Sequence, residues 1–549
     1  MAVQGIQPQW GQPQYVAHNE AVLAYAPGSA ERDALRQALG RQAEQTVDLP
    51  LVIGGQAVHT QTQVEVVCPH AHQRVLARAA QAGRDEAQAA IAASSAAAGD
   101  WAQWSLEARS RVFLKAAELL AGPWRQRLNA ATMLGQSKTA VQAEIDAACE
   151  LIDFLRFNVQ FAQEIAAQQP QSSTGMRNST DYRPLEGFVY AVTPFNFTAI
   201  GGNLAIAPAL MGNTVIWKPS TTAVLSNYLF MELLQEAGLP PGVINFLPGD
   251  AQAISAELLT SPRLAGIHFT GSTAVFDQLW QQTAQNLSRY RAYPRLVGET
   301  GGKDFVLAHA SADVDALCVA LLRGAYEYQG QKCSAASRAY VPASLWPQVK
   351  TQLLDLIATL RMGDVSDFSN FMGAVIDRRA FTRLSRAIAS AREDSGTRVL
   401  TSAQPDDRVG YFVPPTLIEV TDPGHALMSE ELFGPVLAVH VYADAQWSEL
   451  LRTVDATSPY ALTGAVFAQD RAALAEADAA LRNAAGNFYV NDKPTGAVVG
   501  QQPFGGARRS GTNDKAGSAL NLLRWVSPRT IKETLVPPID YRYAHMAAA

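Results

Sequence analysis

Cysteine is scarce in this sequence of 549 residues, which contains four, at positions 68, 149, 318 and 333. Their spacing shows no pairing, and this argues against a disulfide framework and is typical of a reducing compartment. Cys68 stands close to His70 and His72, which raises the question of a metal site. Three such residues without a second cluster are weak support for one, so an ordinary loop is favoured and we expect no metal.

Long apolar runs and a strong excess of charge are also missing. The most apolar stretch, residues 204–217, is interrupted by Gly212 and Asn213, so no run reaches the roughly 18 residues of a membrane span. The net charge of −6 gives no electrostatic reason to expect nucleic acid or an anionic membrane as a partner. Residues 1–18 contain no Lys or Arg, which argues against a signal or transit peptide.

A Gly-x-Gly-x-x-Gly fingerprint is absent, although the middle of the chain alternates between apolar strands and helices. From residue 187 to residue 269 the pattern predicts four strands separated by helices, which indicates a parallel, doubly wound sheet suited to a dinucleotide. The segment 269–273, FTGST, precedes a predicted helix, and a glycine turn at a helix N-terminus can hold a phosphate. The missing fingerprint argues against an ordinary Rossmann enzyme.

Other parts of the chain carry ordinary structural patterns. Apolar spacing predicts a helix over residues 106–121 and a longer one over about 137–167, with Val141 and Ile145 on its core face. The polar segment 168–186 predicts a loop or a projecting hairpin. Residues 530–536 alternate like a strand.

Two short segments contain the residues with the strongest chemical signal. Segment 298–303, GETGGK, sets Glu299 between glycines, and segment 328–334, YQGQKCS, sets Cys333 in a polar turn. A thiol attacks as its thiolate, for which a nearby cation or base is the usual source, and a carboxylate of raised pKa can activate water. Taken alone, Cys333 is more simply a buried small hydrophobe and Glu299 a solvated surface residue.

Together, at a separation of thirty-four positions, the two segments resemble the aldehyde dehydrogenase superfamily. The resemblance covers roughly residues 50–536 and implies an α/β fold with two parallel-sheet domains and a small β oligomerisation flap. The implied NAD-binding domain comprises 1–167 and 187–298, the catalytic domain 299–525, and the flap 168–186 and 526–549.

The same resemblance assigns catalytic roles. Cys333 is the implied nucleophile, and its own N–H together with the Asn196 amide is expected to hold the oxyanion. Asn196 lies in segment 193–198, TPFNFT. Without Cys333, the simpler interpretation of this asparagine is that its side chain forms an Asx turn. Glu299 is the implied base for deacylation, although it could also act by orienting water.

The implied cofactor is NAD. Segment 217–220, WKPS, resembles the part that binds the adenosine ribose, and segment 430–435, EELFGP, resembles the part that meets the nicotinamide. Many superfamily members have a Glu three residues beyond the Lys, where this chain has the neutral Thr221, so we expect measurable activity with NADP as well. The implied cofactor-binding residues are Lys218, Ser220, Gly271, Ser272, Glu431 and Phe433.

Within the superfamily the chain most resembles the 1-pyrroline-5-carboxylate dehydrogenases. Segments 193–198, 298–303 and 331–334 carry this resemblance, as do 500–507, GQQPFGGA, and 510–514, SGTND. It implies oxidation of L-glutamate γ-semialdehyde to L-glutamate through a cysteine thioester, the second step of proline catabolism. In that branch a turn of N–H groups holds the substrate carboxylate without a cationic side chain, and two phenylalanines frame the aliphatic part. The corresponding residues are Phe197, Ser334, Gly496, Ala497 and Phe504.

Three alternatives stay open at this point. One is a non-catalytic protein that keeps the fold, against which the intact Cys333, Glu299 and Asn196 argue. The second is a module of a bifunctional proline-oxidising polypeptide, for which the chain is too short, and the third is another semialdehyde dehydrogenase. We expect a small-molecule substrate, no nucleic acid or membrane partner, and at least a homodimer. We expect the bacterial cytoplasm, or the mitochondrial matrix if the source is eukaryotic.

Overall fold

A computed structural model describes residues 15–547 of the chain. The prediction made for residues 1–14, as part of a leader without targeting features, therefore lies outside the described residues. The first elements are one helix and five short strands, and β4, β5 and β1 form a small sheet. They are α1 (Ala30–Ala43), β1 (Val47–Leu49), β2 (Leu51–Ile53), β3 (Gln56–Val58), β4 (Gln63–Cys68) and β5 (Ala71–Ala80).

A helical section follows, which confirms the helix predicted over residues 106–121. Its elements are α2 (Arg84–Gln103), α3 (Leu106–Ala121), α4 (Arg125–Gln136), α5 (Ala140–Ala143), a π turn (Glu144–Glu150) and α6 (Leu151–Ala167). The long predicted helix therefore begins later and is widened by the π turn. Val141 and Ile145, predicted as core, are 41% and 40% exposed. That prediction was wrong because it assumed an undistorted helical period, whereas the π turn rotates the residues at its start and before it relative to those after it.

The next section alternates strands and helices, as the sequence predicts. Its elements are β6 (Met176–Pro184), β7 (Phe188–Val192), α7 (Thr198–Leu210), β8 (Thr214–Lys218), α8 (Val224–Glu236), β9 (Ile244–Phe246), α9 (Ala251–Leu258), β10 (Leu264–Thr270), α10 (Thr273–Gln285) and β11 (Arg295–Glu299). Seven strands form one sheet in the order β11-β10-β7-β8-β9-β2-β3. The first five pair in parallel, and the hairpin β2–β3 extends the sheet in antiparallel fashion beyond β9.

A second α/β section follows. Its elements are β12 (Asp304–Ala308), α11 (Val314–Tyr326), β13 (Ala336–Pro342), α12 (Trp346–Ala358), α13 (Arg378–Glu393), β14 (Thr397–Val399), β15 (Thr416–Val420), α14 (Ala426–Ser429), β16 (Val436–Tyr442), α15 (Trp447–Thr457), β17 (Tyr460–Ala461), β18 (Thr463–Phe467), α16 (Arg471–Ala480) and β19 (Asn487–Val490). Its sheet has the order β14-β15-β16-β13-β12-β18-β19 and is parallel except for β14. Buried apolar residues pack on both faces of this sheet, as expected of a parallel sheet.

The last elements lead to a projecting ribbon. They are β20 (Ala507–Arg508), α17 (Ala519–Leu523) and β21 (Val526–Thr534). Strand β21 pairs antiparallel with β6 over its whole length, so the polar segment 168–186 contains a strand whose partner comes from near the C-terminus. The two-stranded ribbon has mostly exposed side chains on β21. Within residues 15–547, no helix combines the length and the apolar character needed to cross a membrane.

Candidate active site

Cys333 lies in a tight turn between the end of α11 and the start of β13. The backbone reverses at Tyr328 and Gln329, whose φ angles are 51° and 55°. The Gln329 side chain holds this turn, because its Nε2 donates to the Ser137 carbonyl at 3.0 Å and its Oε1 accepts from the Gly373 N–H at 3.0 Å. Cys333 is half-buried, whereas the other three cysteines are buried.

Negative rather than positive groups surround the Cys333 thiol. Burial raises the pKa of the thiol well above its ordinary value, and the carboxyl groups of Asp304, Glu431 and Glu299 raise it further. The neighbouring Lys332 is engaged elsewhere, with its Nζ 3.2 Å from a carboxylate oxygen of Glu327. Lys332 is therefore paired with a carboxylate and does not act as a cation that stabilises the Cys333 thiolate in the cofactor-free protein.

This environment makes a prediction for chemical modification. Alkylation of Cys333 by iodoacetamide in the cofactor-free protein should be slow at pH 7 and should still accelerate above pH 9, because only the thiolate reacts. Mass spectrometry of the tryptic peptide across a pH series measures the rate. The buried Cys68, Cys149 and Cys318 serve as internal controls. A rate that is already at its plateau at pH 7 would contradict the raised pKa.

Asn196 is brought to this turn by the loop between β7 and α7. Its Nδ2 donates to the carbonyl of Gln331 at 3.0 Å, two residues before Cys333, which leaves the second N–H of the amide for another acceptor. The loop ends where α7 begins, and there Asp146 accepts the N–H groups of Thr198 and Ala199 at 3.0 and 2.8 Å. The carboxylate that fixes the Asn196 loop is therefore supplied by the π turn.

Glu299 is the last residue of β11, at the carboxyl edge of the first sheet. Burial raises the pKa of its carboxyl group well above the ordinary value, and the Gly506 N–H and Lys515 act in the opposite direction. The Gly506 N–H donates to Oε2 at 3.1 Å, and the Gly271 N–H donates to the backbone carbonyl of Glu299 at 3.2 Å. A buried carboxyl group of raised pKa is suited to take a proton from water.

The predicted cofactor residues of the first sheet lie along the same edge. Lys218 ends β8, Ser220 follows it, and Gly271 and Ser272 connect β10 to α10. Ser272 caps α10, and the Cβ of any larger residue at position 271 would meet the Phe269 ring at 2.7 Å. Gly271 therefore leaves the backbone before the first turn of α10 accessible, and a phosphate could approach the N–H groups there.

Glu431 and Phe433 come from the second α/β section and share a small cavity with Cys333. The Gly302 N–H donates to Oε1 of Glu431 at 3.0 Å, and burial raises the pKa of this carboxyl group to about 7. Phe433 has a φ of 53°, and its ring meets that of Phe195 edge-on at a centroid distance of 5.7 Å. The two segments that sequence reasoning assigned to cofactor and nucleophile therefore meet in space.

The predicted carboxylate site also lies next to the nucleophile. The Ser334 hydroxyl donates to Oγ1 of Thr495 at 2.8 Å, so the segment holding Gly496 and Ala497 is tied to the residue after Cys333. Gly496 has a φ of 95° and is exposed. Because Ser334 is the donor in this hydrogen bond, the O–H of Thr495 is not used by it and can donate to an anion.

The two predicted aromatic walls are held in different ways. The Nζ of Lys138 lies 4.0 Å from the centroid of the Phe197 ring, and this buried ammonium is itself paired with Asp146 at 2.7 Å. Phe504 exchanges both backbone hydrogen bonds with Ala516, at 3.0 and 2.8 Å.

Sequence reasoning missed several residues that surround these groups. Lys493 Nζ lies 3.5 Å from the position of a Cβ on Gly496, so a cation stands beside the turn for which none was expected. Thr495, Lys515, Lys138 and Asp146 were also missed. Lys493 and Thr495 could have been found, since they immediately precede Gly496, but the other three reach the site from distant segments and gave no signal.

No described group of three or more His, Cys, Asp or Glu side chains between residues 15 and 547 is placed to hold a metal ion. In the segment that raised the question, Cys68 Sγ lies 3.1 Å from Nε2 of His70, and His70 Nδ1 lies 3.0 Å from the Ser137 hydroxyl. His72 turns away, with its Nε2 at 2.8 Å from the Asp407 carbonyl oxygen.

Comparisons with known proteins agree over nearly the whole chain. The model of the aldehyde dehydrogenase family matches residues 57–531. The delta-1-pyrroline-5-carboxylate dehydrogenase, mitochondrial, of Mus musculus is 52% identical over 529 residues, 96% of this chain and 94% of that protein. The corresponding protein of Dictyostelium discoideum is 52% identical over 532 residues, 96% of this chain and 95% of its own.

Solved structures give the same result. The crystal structure of the delta-pyrroline-5-carboxylate dehydrogenase from Mycobacterium tuberculosis bound with NAD has a TM-score of 0.94 and 57% identity, covering 97% of this chain and 98% of that one. A 1-pyrroline-5-carboxylate dehydrogenase from Thermus with bound NAD has a TM-score of 0.88 and 33% identity, covering 94% and 99%. On the extent of these matches and on the fold, the chain belongs to the aldehyde dehydrogenase family.

Proposed function

We propose that this chain is an NAD-dependent L-glutamate γ-semialdehyde dehydrogenase, which forms L-glutamate in the second step of proline catabolism. The semialdehyde exists in equilibrium with 1-pyrroline-5-carboxylate, the compound after which the relatives are named. The observation that carries the proposal is the hydrogen bond from Ser334 to Thr495, because it fastens an anion-binding turn directly beside the reactive thiol. A substrate with an aldehyde at one end and a carboxylate at the other fits this arrangement.

In the first stage the Cys333 thiolate adds to the aldehyde carbon. The oxygen becomes an oxyanion, which the Cys333 N–H and the free N–H of the Asn196 amide are placed to bind. The other Asn196 N–H holds the Gln331 carbonyl, so the amide is oriented before substrate arrives. The tetrahedral adduct then loses hydride and leaves a thioester on the sulfur.

In the second stage water attacks the thioester, and Glu299 takes its proton. The Gly506 N–H orients the carboxylate, while burial raises the pKa of the carboxyl group, which makes the carboxylate a stronger base. The products are L-glutamate and the free thiol of Cys333. Attack at the carbonyl carbon breaks its bond to sulfur.

The residues along the sheet edge fit NAD. The glycine turn at Gly271 and the N-terminus of α10 offer backbone N–H groups to a pyrophosphate. Lys218 and Ser220 suit the adenosine ribose, and Glu431 suits the nicotinamide ribose beside the Phe433 ring. When bound, NAD supplies the hydride acceptor. Thr221 carries no charge to repel a 2′-phosphate, so steady-state kinetics should show activity with NADP below that with NAD.

The carboxylate of the substrate is proposed to lie against the turn that contains Gly496 and Ala497. Their backbone N–H groups and the free hydroxyl of the Ser334–Thr495 pair supply donors. Lys493 adds a positive charge beside Gly496, which strengthens binding of an anion at a partly buried site. Phe197 and Phe504 are proposed to enclose the methylene groups between the two ends.

One assay tests this proposal against the other semialdehyde dehydrogenases. NADH formation is followed at 340 nm with L-glutamate γ-semialdehyde, succinic semialdehyde, propanal and hexanal. L-Glutamate γ-semialdehyde should have the highest kcat/KM. A clear preference for succinic semialdehyde, or equal efficiency with the simple aldehydes, would overturn the substrate assignment.

Filling the carboxylate turn should damage binding more than removing one hydroxyl. Ala497→Leu should raise the KM for the semialdehyde by about 100-fold, because the added side chain excludes the carboxylate from the backbone N–H groups. Ser334→Ala should raise the KM by about 10-fold, just below the roughly 1.5–3 kcal/mol that a hydrogen bond to a charged group contributes, because Thr495 retains its hydroxyl. Initial-rate kinetics of both variants provide the measurement.

The matched control for the larger change is Ala479→Leu, which adds the same side chain to an exposed position on α16. Its KM should equal that of the wild type. An unchanged KM in Ala497→Leu would remove residue 497 from the proposed substrate site.

The ribbon of β6 and β21 is proposed to be an oligomerisation flap, with the chain forming at least a homodimer. Among residues 15–547 neither strand has a second neighbouring strand, and Ile531 is 39% exposed on β21. An unpaired, exposed edge is a ready partner for a strand of another copy. Light scattering at micromolar concentration should give at least twice the mass of one chain, and a monomer would contradict this role.

The domain division and the compartment are further parts of the proposal. The first sheet with the helical section belongs to an NAD-binding domain of 1–167 and 187–298, the second sheet to a catalytic domain of 299–525, and the ribbon to a flap of 168–186 and 526–549. For the compartment we propose the cytoplasm of a bacterium, or the mitochondrial matrix if the source is eukaryotic. The names of the relatives from Mus musculus and Dictyostelium discoideum describe those proteins as mitochondrial.

A further inference from the structure

An extended N-terminal arm, residues 15–25, packs along α6 and the π turn without joining a sheet or helix. Several of its backbone N–H groups donate to side chains of these helical segments. The Ala17 N–H donates to Gln160 at 2.8 Å, the Glu20 N–H to Asp153 at 2.7 Å, and the Leu23 N–H to Glu144 at 2.9 Å. The arm is thus fixed in place by a row of specific acceptors.

Asn19, in the middle of this arm, bonds in two directions. Its Nδ2 donates to Oδ2 of the buried Asp153 at 2.8 Å and to the carbonyl of Val499 at 2.8 Å, and its Oδ1 accepts from Nε2 of Gln501 at 3.0 Å. The Asn19 amide therefore joins α6 to Val499, which lies 480 residues after Asn19 in the sequence.

That segment is the anchor loop, residues 495–502, which includes the proposed carboxylate turn. Its first residue, Thr495, is tied to Ser334, and Val499 and Gln501 are tied to Asn19. Gly500 has a φ of 81°, and a Cβ there would meet the Phe157 ring at 2.3 Å, so the loop lies directly on α6. The exposed Gly496 and the half-buried Ala497 lie between these two attachments.

We propose that Asn19 is a positioning residue that fixes the far end of the anchor loop and thereby sets the enzyme's affinity for the carboxylate of its substrate. The inference rests on the proposed function, because it requires the carboxylate to lie at Gly496 and Ala497. Backbone N–H groups bind an anion well only when their loop is held in one conformation before binding. Ser334 holds one end of the turn and Asn19 the other.

The test is Asn19→Ala in the full chain, with two substrates. The KM for L-glutamate γ-semialdehyde should rise about three- to tenfold with kcat within twofold of the wild type, because the chemistry at Cys333 is untouched. The kcat/KM for propanal, which has no carboxylate, should be unchanged. This difference between substrates separates positioning from general destabilisation. A KM for the semialdehyde equal to that of the wild type overturns the proposal.

Two further variants keep the test decisive. Asn286→Ala removes a comparable amide, which donates to the Gln282 carbonyl at the end of α10, and should leave both substrates unaffected. Gln501→Ala removes only the bond to Asn19 Oδ1 and preserves the arm, so it should raise the KM for the semialdehyde by about twofold. If Asn19→Ala melts at a lower temperature than the wild type, the result for Gln501→Ala decides the test. The inference is overturned if the KM of Gln501→Ala for the semialdehyde does not rise. It is also overturned if both variants lose the same fraction of kcat/KM for the semialdehyde and for propanal.

The proposed function can fail separately. A wild-type enzyme that does not prefer the semialdehyde to propanal disproves the carboxylate site itself. A wild-type enzyme that prefers it, combined with an unchanged KM in Asn19→Ala, leaves the proposed function intact and disproves only the role of the arm.

Discussion

Replacing Cys333 with alanine should abolish aldehyde oxidation, with kcat falling at least a thousandfold, while binding of NAD is retained. The thiolate forms the bond to the substrate in the proposed mechanism, and removal of an attacking nucleophile has effects of this size or larger. NADH formation with L-glutamate γ-semialdehyde measures the first part. Calorimetric titration with NAD measures the second.

No other described cysteine can take over this role. Cys68, Cys149 and Cys318 are buried, and their thiol pKa values are raised by burial. Cys318→Ala is therefore the matched control, since it removes a thiol from the buried face of α11 and should leave kcat unchanged. Appreciable turnover by Cys333→Ala would contradict the assignment of Cys333 as the nucleophile. Loss of activity in Cys318→Ala, which retains Cys333, would contradict it as well.

The sequence predicted the candidate site best where its residues follow strand ends. Asn196, Lys218, Gly271 and Glu299 all come directly after or at the end of apolar strands, and parallel strands bring such ends to one edge of a sheet. The alternation of strands and helices was enough to predict that edge. The turn that contains Cys333 lies near this edge because α11 carries the chain from the end of β12 back to the start of β13.

Contacts between distant segments could not be predicted in this way. Asp146 contacts the end of the Asn196 loop from a π turn that interrupts the helix, and a regular helical period gives no indication of such a turn. The bonds from Asn19 to Val499 and from Ser334 to Thr495 join segments whose local patterns are independent. Hydrophobic periodicity contains no information about such polar pairs.

The electrostatics of the site could not be predicted from the sequence. Lys332 is next to Cys333 in the sequence and Lys303 follows Glu299 in the segment 298–303, but sequence position alone does not show which charges these side chains face. In the fold, Lys332 pairs with Glu327, and burial lowers the pKa of Lys303 to about 7. Charge at a buried site depends on which groups are desolvated together, and this follows from the tertiary structure alone.

Glu299→Gln should separate the two stages of the reaction. The glutamine keeps an oxygen for the Gly506 N–H but cannot take a proton from water, so the thioester forms and then persists. Stopped-flow measurements should show one equivalent of NADH in a rapid burst, followed by steady turnover about 100- to 10,000-fold slower than in the wild type, the usual size of the effect of a lost general base.

The matched control, Glu449→Gln, makes the same change at an exposed position on α15 and should show wild-type turnover. Glu299 also contributes negative charge near the thiol, so its neutralisation should lower the thiol pKa and leave the burst as fast as in the wild type or faster at pH 7. A variant without any burst would place the action of Glu299 before hydride loss. The base for deacylation would then have to be another group.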